Sequence, residues 1–109
     1  LLSGDDINTL PILSVGGCGV ISVLANVMPK EVADLCNAFK SGDIQGAQKI
    51  HLKTLQLSID LFIDTNPIPV KKALQIMGRL NGRMRLPLVP MSEENTEILH
   101  HTMRNVGSI

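Results

Sequence analysis

Aromatic side chains are almost absent from this sequence: among 109 residues there is no Trp, no Tyr and only two Phe. No tyrosine phenol is therefore present to carry a proton. Long apolar runs are missing as well. None approaches the ~20 residues of a membrane span, and no charged stretch precedes an apolar one, so neither a membrane-spanning nor a secretory reading is expected. No excess of either charge appears, since ten Lys and Arg are balanced by ten Asp and Glu. Without a basic patch there is no electrostatic case for nucleic acid or an anionic membrane surface as partner. The GxSxG, GxGxxG, Walker and HExxH patterns do not occur, nor does any repeat or low-complexity tract. Cysteine is scarce: Cys18 and Cys36 stand outside any CxxC or CxxH spacing. They read as buried thiols of a reducing compartment, here the cytoplasm, rather than metal ligands or nucleophiles. An initiator Met is lacking too. The opening LLSGDD reads as the last part of a strand that stops at Gly4, which predicts that the chain was cut from something longer.

What the sequence does hold is 44% hydrophobic residues, enough for one domain that buries roughly two thirds of its extended-chain surface. After the LLS strand end, Asp5 or Asp6 is a good N-cap for a short segment reaching Val15, kept short or kinked by Pro11 and stopped by Gly16 and Gly17. In GGCGVISVLANVMP, residues 16–29, the run Val20, Ile21, Val23, Leu24 predicts a strand over 19–24, covered on both faces as in a parallel sheet. No comparable run follows Pro29, so most of that sheet is missing from the chain. Pro29 suits the first position of a helix. Its apolar face is Val32, Ala33, Leu35, Cys36 and Phe39, and Gly42 closes it. Strand and helix then alternate in the α/β manner up to residue 42.

From residue 43 the pattern becomes helical. Asp43 caps a long helix over 43–63, with Ile44, Ala47, Ile50 and Leu55 at helical spacing. Within it LQLSIDL, residues 55–61, alternates strictly, which by itself favours a strand. Length decides for the helix, because no turn signal interrupts the segment before Asp64, and a helix held between two layers is apolar on most sides. Asn66 and Pro67 open a third helix marked by Val70, Ala73, Leu74 and Met77. The turn-rich stretch LNGRMRLPLVPM leads to Ser92, which with Glu93 and Glu94 starts a last helix whose face is Ile98, Leu99, Met103 and Val106 and whose stop is Gly107.

Few of these residues carry chemistry by themselves. His51 sits within the long helix, and His100 and His101 point about 100° apart on the last one, so they cannot share a metal. Asp5 and Asp6 stand where α/β proteins place ligand groups, yet capping is the favoured account of them. All six lysines, Lys30, Lys40, Lys49, Lys53, Lys71 and Lys72, fall at polar helical positions, so none reads as a desolvated nucleophilic amine. A complete active site is not contained in the chain.

In their order and separations, SGDD, GGCGVISVLAN, NPIPVK and RLPLVPMS resemble the C-terminal portion of the dihydrodipicolinate synthases, also called 4-hydroxy-tetrahydrodipicolinate synthases. The resemblance spans the whole chain, and GVISV with AN and RLPLVP distinguish these enzymes from related pyruvate lyases such as N-acetylneuraminate lyase. It implies an α/β fold: the C-terminal part of a (β/α)8 TIM barrel, with residues 1–42 closing the barrel and 43–109 forming a three-helix extension. The absent neighbours of the 19–24 strand are then the first six strands. It implies a lyase of lysine (diaminopimelate) biosynthesis in which a lysine amine forms a Schiff base with pyruvate and the enamine attacks L-aspartate 4-semialdehyde. No cofactor and no metal is implied, and the complete enzyme is expected to be a homotetramer, a dimer of dimers. The family's catalytic lysine, tyrosine and threonines lie upstream, so no catalytic residue maps onto this segment. Two pyruvate-binding positions do map, Ile21 in GVISV and Gly4 in SGDD. Ile21 offers an apolar wall that excludes water, and Gly4 lets backbone approach the ligand. The alternatives are another pyruvate-dependent aldolase of the same superfamily, or a non-catalytic helical interaction module.

Overall fold

A computed structural model describes residues 1–109. Strand β1, Leu2–Ser3, is followed by a 3-10 turn, Asp6–Asn8, and helix α1, Thr9–Ser14. Pro11 is the third residue of α1, where its missing N–H is one that a helix start leaves unpaired in any case. Strand β2, Gly19–Val20, pairs in parallel with β1, Leu2 opposite Gly19 and Ser3 opposite Val20. A second 3-10 turn, Leu24–Asn26, leads into helix α2, Pro29–Lys40, which starts on its proline. Helices α3, Ile44–Asp60, α4, Ile68–Ile76, and α5, Glu93–Val106, complete the chain.

The expected strand over 19–24 is shorter than its apolar run. Only Gly19 and Val20 pair, the Ile21 N–H still donates to the Ser3 carbonyl at 2.8 Å, and the chain then turns. The reason is a side chain from elsewhere in the sequence that takes the next free amides. The helix expected through LQLSIDL is present, as the C-terminal end of α3, with Leu61 as its C-cap. Its alternation divides between two faces. Leu57 and Leu61 are fully buried, whereas Ile59 is half exposed and joins Leu52 and Phe62 in an uncovered apolar stripe.

Caps expected from the sequence hold the helix ends. The Asp43 carboxylate accepts from the Gly46 N–H at 2.9 Å and the Ser92 hydroxyl from the Asn95 N–H at 3.3 Å. Gly107 adopts φ 81°, a left-handed conformation that closes α5 and favours glycine. Ala33, Ile44 and Ile98, expected on apolar faces, lie exposed.

One core cluster gathers Leu57, Leu61, Ile68, Val70, Ala73, Met91, Leu99, Met103 and Val106, and also takes in Leu24, Val27 and Met28 from the segment after β2. The second 3-10 turn is thereby anchored on the helical part. A buried acid ties two of those helices together: Asp60 at the end of α3 accepts from the Thr102 hydroxyl of α5 and from the Gln56 amide at 2.9 Å. Asp60→Ala strands the buried Thr102 hydroxyl, so a loss of about 1–3 kcal/mol is expected in urea unfolding. A change within about 0.5 kcal/mol, the scale of an ordinary surface substitution, contradicts this.

Candidate functional site

Parallel pairing makes β1 and β2 end side by side. Gly4 follows Ser3 and Ile21 follows Val20, so the two residues expected to bind ligand stand at neighbouring positions just past the C-terminal ends of the strands. Ile21 is 70% exposed, which sets it apart from the buried core to which an isoleucine ordinarily belongs. Gly4 is exposed, its backbone lies outside the left-handed region, and a Cβ built there meets no atom within 4 Å. Chain geometry therefore does not require glycine at this position. An open, partly apolar hollow runs from Gly4 and Asp5 past Ile7 to Ser58, Ile59 and Phe62 of α3 and the turn after it.

The two acids of SGDD divide their tasks. Asp5, in extended conformation, caps the first 3-10 turn by accepting from the Ile7 N–H at 3.4 Å, and it takes the Asn8 amide at 3.2 Å. Asp6 is buried and reaches across to the other strand's exit. Its carboxylate accepts from the Ser22 hydroxyl, from the Val23 N–H at 3.0 Å and from the Leu24 N–H at 2.9 Å. The Ser22 hydroxyl in turn accepts from the Ala25 N–H at 2.9 Å. These bonds end β2 early, because amides that would continue the ladder are held by a carboxylate. Sequence reasoning weighed capping against ligand binding for Asp5 and Asp6 and missed this cross-link, which joins residues 16 to 18 positions apart.

Other candidate residues lie elsewhere. Lys30 pairs with Asp34 at 2.6 Å on the exposed face of α2, and that hydrogen bond and charge raise its pKa. No lysine lines the hollow beside Gly4. His100 contacts Arg104 and His101 contacts Asn105 along α5, and no group of three or more His, Cys, Asp or Glu side chains gathers that could hold a metal. Both cysteines are free, and the expectation that both are buried is corrected: Cys18 is exposed at the glycine turn before β2, and only Cys36 is partly covered. Burial pushes the Cys36 thiol up, which favours the unreactive protonated form. No helix is long and apolar enough to cross a membrane.

Adjacent parallel strands with a shared C-terminal end define a segment of a parallel α/β protein, and Gly4 and Ile21 stand at the end of the strands where that class places ligand groups. The chain belongs to the dihydrodipicolinate synthetase family, whose family model matches residues 1–106. It is 54% identical over 104 residues to a 4-hydroxy-tetrahydrodipicolinate synthase of Geobacter sulfurreducens, covering 95% of this chain and 36% of that protein. The synthase of Nitratidesulfovibrio vulgaris is 49% identical over 107 residues, 98% of this chain and 37% of that one. Among solved structures, dihydrodipicolinate synthase from Thermotoga maritima superposes with a TM-score of 0.97 at 44% identity, covering 99% of this chain and 37% of that one. The Acinetobacter baumannii enzyme, solved in complex with pyruvate, gives a TM-score of 0.94 at 38% identity, over 99% of this chain and 37% of that one. The family resemblance read from SGDD and GVISV is thus borne out. The chain spans little more than a third of the length of the relatives it matches.

Proposed function

We propose that these residues are the C-terminal part of a 4-hydroxy-tetrahydrodipicolinate synthase, working only within a complete (β/α)8 barrel. Residues 1–42 supply the last two strand ends and the final barrel helix, and residues 43–109 the helical extension. The observation that carries this reading is the side-by-side exposure of Gly4 and Ile21 beyond two parallel strands, in a chain matched nearly end to end by synthases. In the proposed reaction a lysine amine from upstream condenses with the pyruvate carbonyl, releasing water. The imine loses a methyl proton to give the enamine, whose carbon attacks the aldehyde of L-aspartate 4-semialdehyde. This segment contributes shape: Ile21 walls the pyruvate site with hydrocarbon, and Gly4 leaves room for the ligand. The exposed stripe Leu52, Ile59 and Phe62 on and just beyond α3 is the face that the rest of the barrel covers. The complete protein is read as a cytoplasmic homotetramer of lysine biosynthesis.

The test is condensation by a chain of full family length carrying this segment. Turnover of pyruvate with L-aspartate 4-semialdehyde supports the reading, and turnover only with another aldehyde assigns the chain to a sister aldolase. Ile21→Ala in that enzyme is expected to raise the pyruvate KM about tenfold, the scale of losing apolar contact with a ligand. Leu35→Ala, which empties a buried position on α2, is the control: it lowers stability by about 2–5 kcal/mol and leaves pyruvate kinetics alone. Equal kinetics in both variants would make Ile21 merely structural.

A further inference from the structure

The Ile21 backbone is held by a different device on each side. Before it lies the strand ladder, ending with the Ile21 N–H on the Ser3 carbonyl at 2.8 Å. After it lies the buried Asp6 carboxylate, which takes the Ser22 hydroxyl and the Val23 and Leu24 amides together. Three donors converge on one carboxylate, with one oxygen held by the hydroxyl and the other shared by two amides. Such charge-assisted bonds to a fixed acceptor orient a turn more firmly than neutral ones. The far end is also fixed, because Leu24 is buried in the core cluster and the Ser22 hydroxyl receives the Ala25 N–H. Ile21 thus projects outward from backbone that is hydrogen-bonded on both sides. Neither N-capping of its own turn, which Asp5 performs, nor neutralisation of a cation accounts for Asp6, since no lysine, arginine or histidine pairs with it.

We propose that Asp6 is a positioning residue for substrate capture: through Ser22, Val23 and Leu24 it sets the place of Ile21 at the pyruvate site, and Ser22 is its bridging partner. This rests on the reading of Ile21 as the pyruvate wall. Asp6 acts through the backbone and does not touch the reacting atoms. Its loss therefore weakens pyruvate binding more than it slows the chemistry that follows.

The experiment uses the full-length enzyme and a double-mutant cycle read as pyruvate KM and kcat well below the unfolding temperature. Asp6→Asn, which keeps one acceptor oxygen and loses the charge, is expected to raise the pyruvate KM about tenfold with kcat changed by less than about threefold, on the scale of one charge-assisted hydrogen bond. Ser22→Ala should raise KM in the same direction by a smaller factor, and the double variant should be no worse than Asp6→Asn alone, because both act through one network. Ser22→Thr, which keeps the hydroxyl, should restore the wild-type KM. The inference is overturned if Asp6→Asn lowers the unfolding temperature while the pyruvate KM stays unchanged, or if the two substitutions add independently. If Asp6→Asn does not fold, the KM of Ser22→Ala and its rescue by Thr decide alone. Failure of the underlying reading is distinguishable: there the wild-type enzyme does not use pyruvate, or Ile21→Ala leaves the pyruvate KM untouched while turnover is normal.

Discussion

The 109 residues expressed by themselves are expected to show no condensation of pyruvate with L-aspartate 4-semialdehyde, and no stoichiometric pyruvate adduct after borohydride reduction. Both follow from where the amines are. A Schiff-base lysine must be unprotonated at neutral pH, which requires burial or a neighbouring positive charge. Lys30, Lys40, Lys49 and Lys53 are exposed on helices, and Lys71 and Lys72 donate to the Arg83 carbonyl and to Gln75. Lys30, beside Asp34, is displaced in the wrong direction for a nucleophile. No amine stands by Gly4 and Ile21. The segment is also expected to associate in a concentration-dependent way, because a two-stranded sheet has open edges and Leu2, Ile21, Leu52 and Phe62 stand out as uncovered apolar side chains. Mass spectrometry after pyruvate and borohydride, together with sedimentation at several concentrations, reads both outcomes. Turnover by the purified segment, free of host enzyme, defeats the account.

Local chemistry made the helices legible. Pro29, Asp43, Ser92 and Gly107 are each a start or stop signal that acts within one turn, and α2, α3 and α5 begin or end on them. The long helix survived the alternation in LQLSIDL because its length outweighs its period. Its two apolar sets face different layers: Leu57 and Leu61 turn to the core, and Ile59 and Phe62 to the face left open. β2 is shorter than its apolar run for a reason that no window of residues reveals. Val23 and Leu24 have strand-forming side chains, but their amides belong to Asp6, a residue on the other strand's exit. The apolar neighbours of Cys18 predict burial, whereas it is exposed just before β2, where its N–H extends the pairing to the Leu1 carbonyl. The same limit governs the site. Gly4 and Ile21 came from a family pattern, not from periodicity, and their adjacency exists only once β1 and β2 pair in register. Ser22 carries no signal in the sequence at all, since a serine after an apolar run is ordinary until a carboxylate is found opposite its hydroxyl.

In the full-length enzyme, Gly4→Val is expected to lower kcat/KM for pyruvate by about a hundredfold, equivalent to about 2.7 kcal/mol of lost binding in the transition state. The argument separates the two reasons for a glycine. One is conformational, and it does not hold here: Gly4 lies outside the left-handed region, so a side chain costs no backbone strain. The other is spatial. Within this segment a Cβ built at Gly4 meets no atom within 4 Å, and Gly4 stands beside Ile21 just past the paired strand ends. A branched side chain there occupies volume that the proposed pyruvate site needs, so ligand is displaced and the protein itself is not strained. The expected signature is therefore a split: the unfolding temperature shifts little, while the pyruvate KM rises steeply and the KM for the aldehyde changes less. Gly4→Ala, with a single methyl, should fall between Gly4→Val and the wild type. Thermal unfolding and initial rates on the same preparations measure both sides of the split. A large drop in unfolding temperature in parallel with the kinetic loss assigns Gly4 to packing against another part of the barrel, and unchanged kinetics at unchanged stability removes it from the pyruvate site.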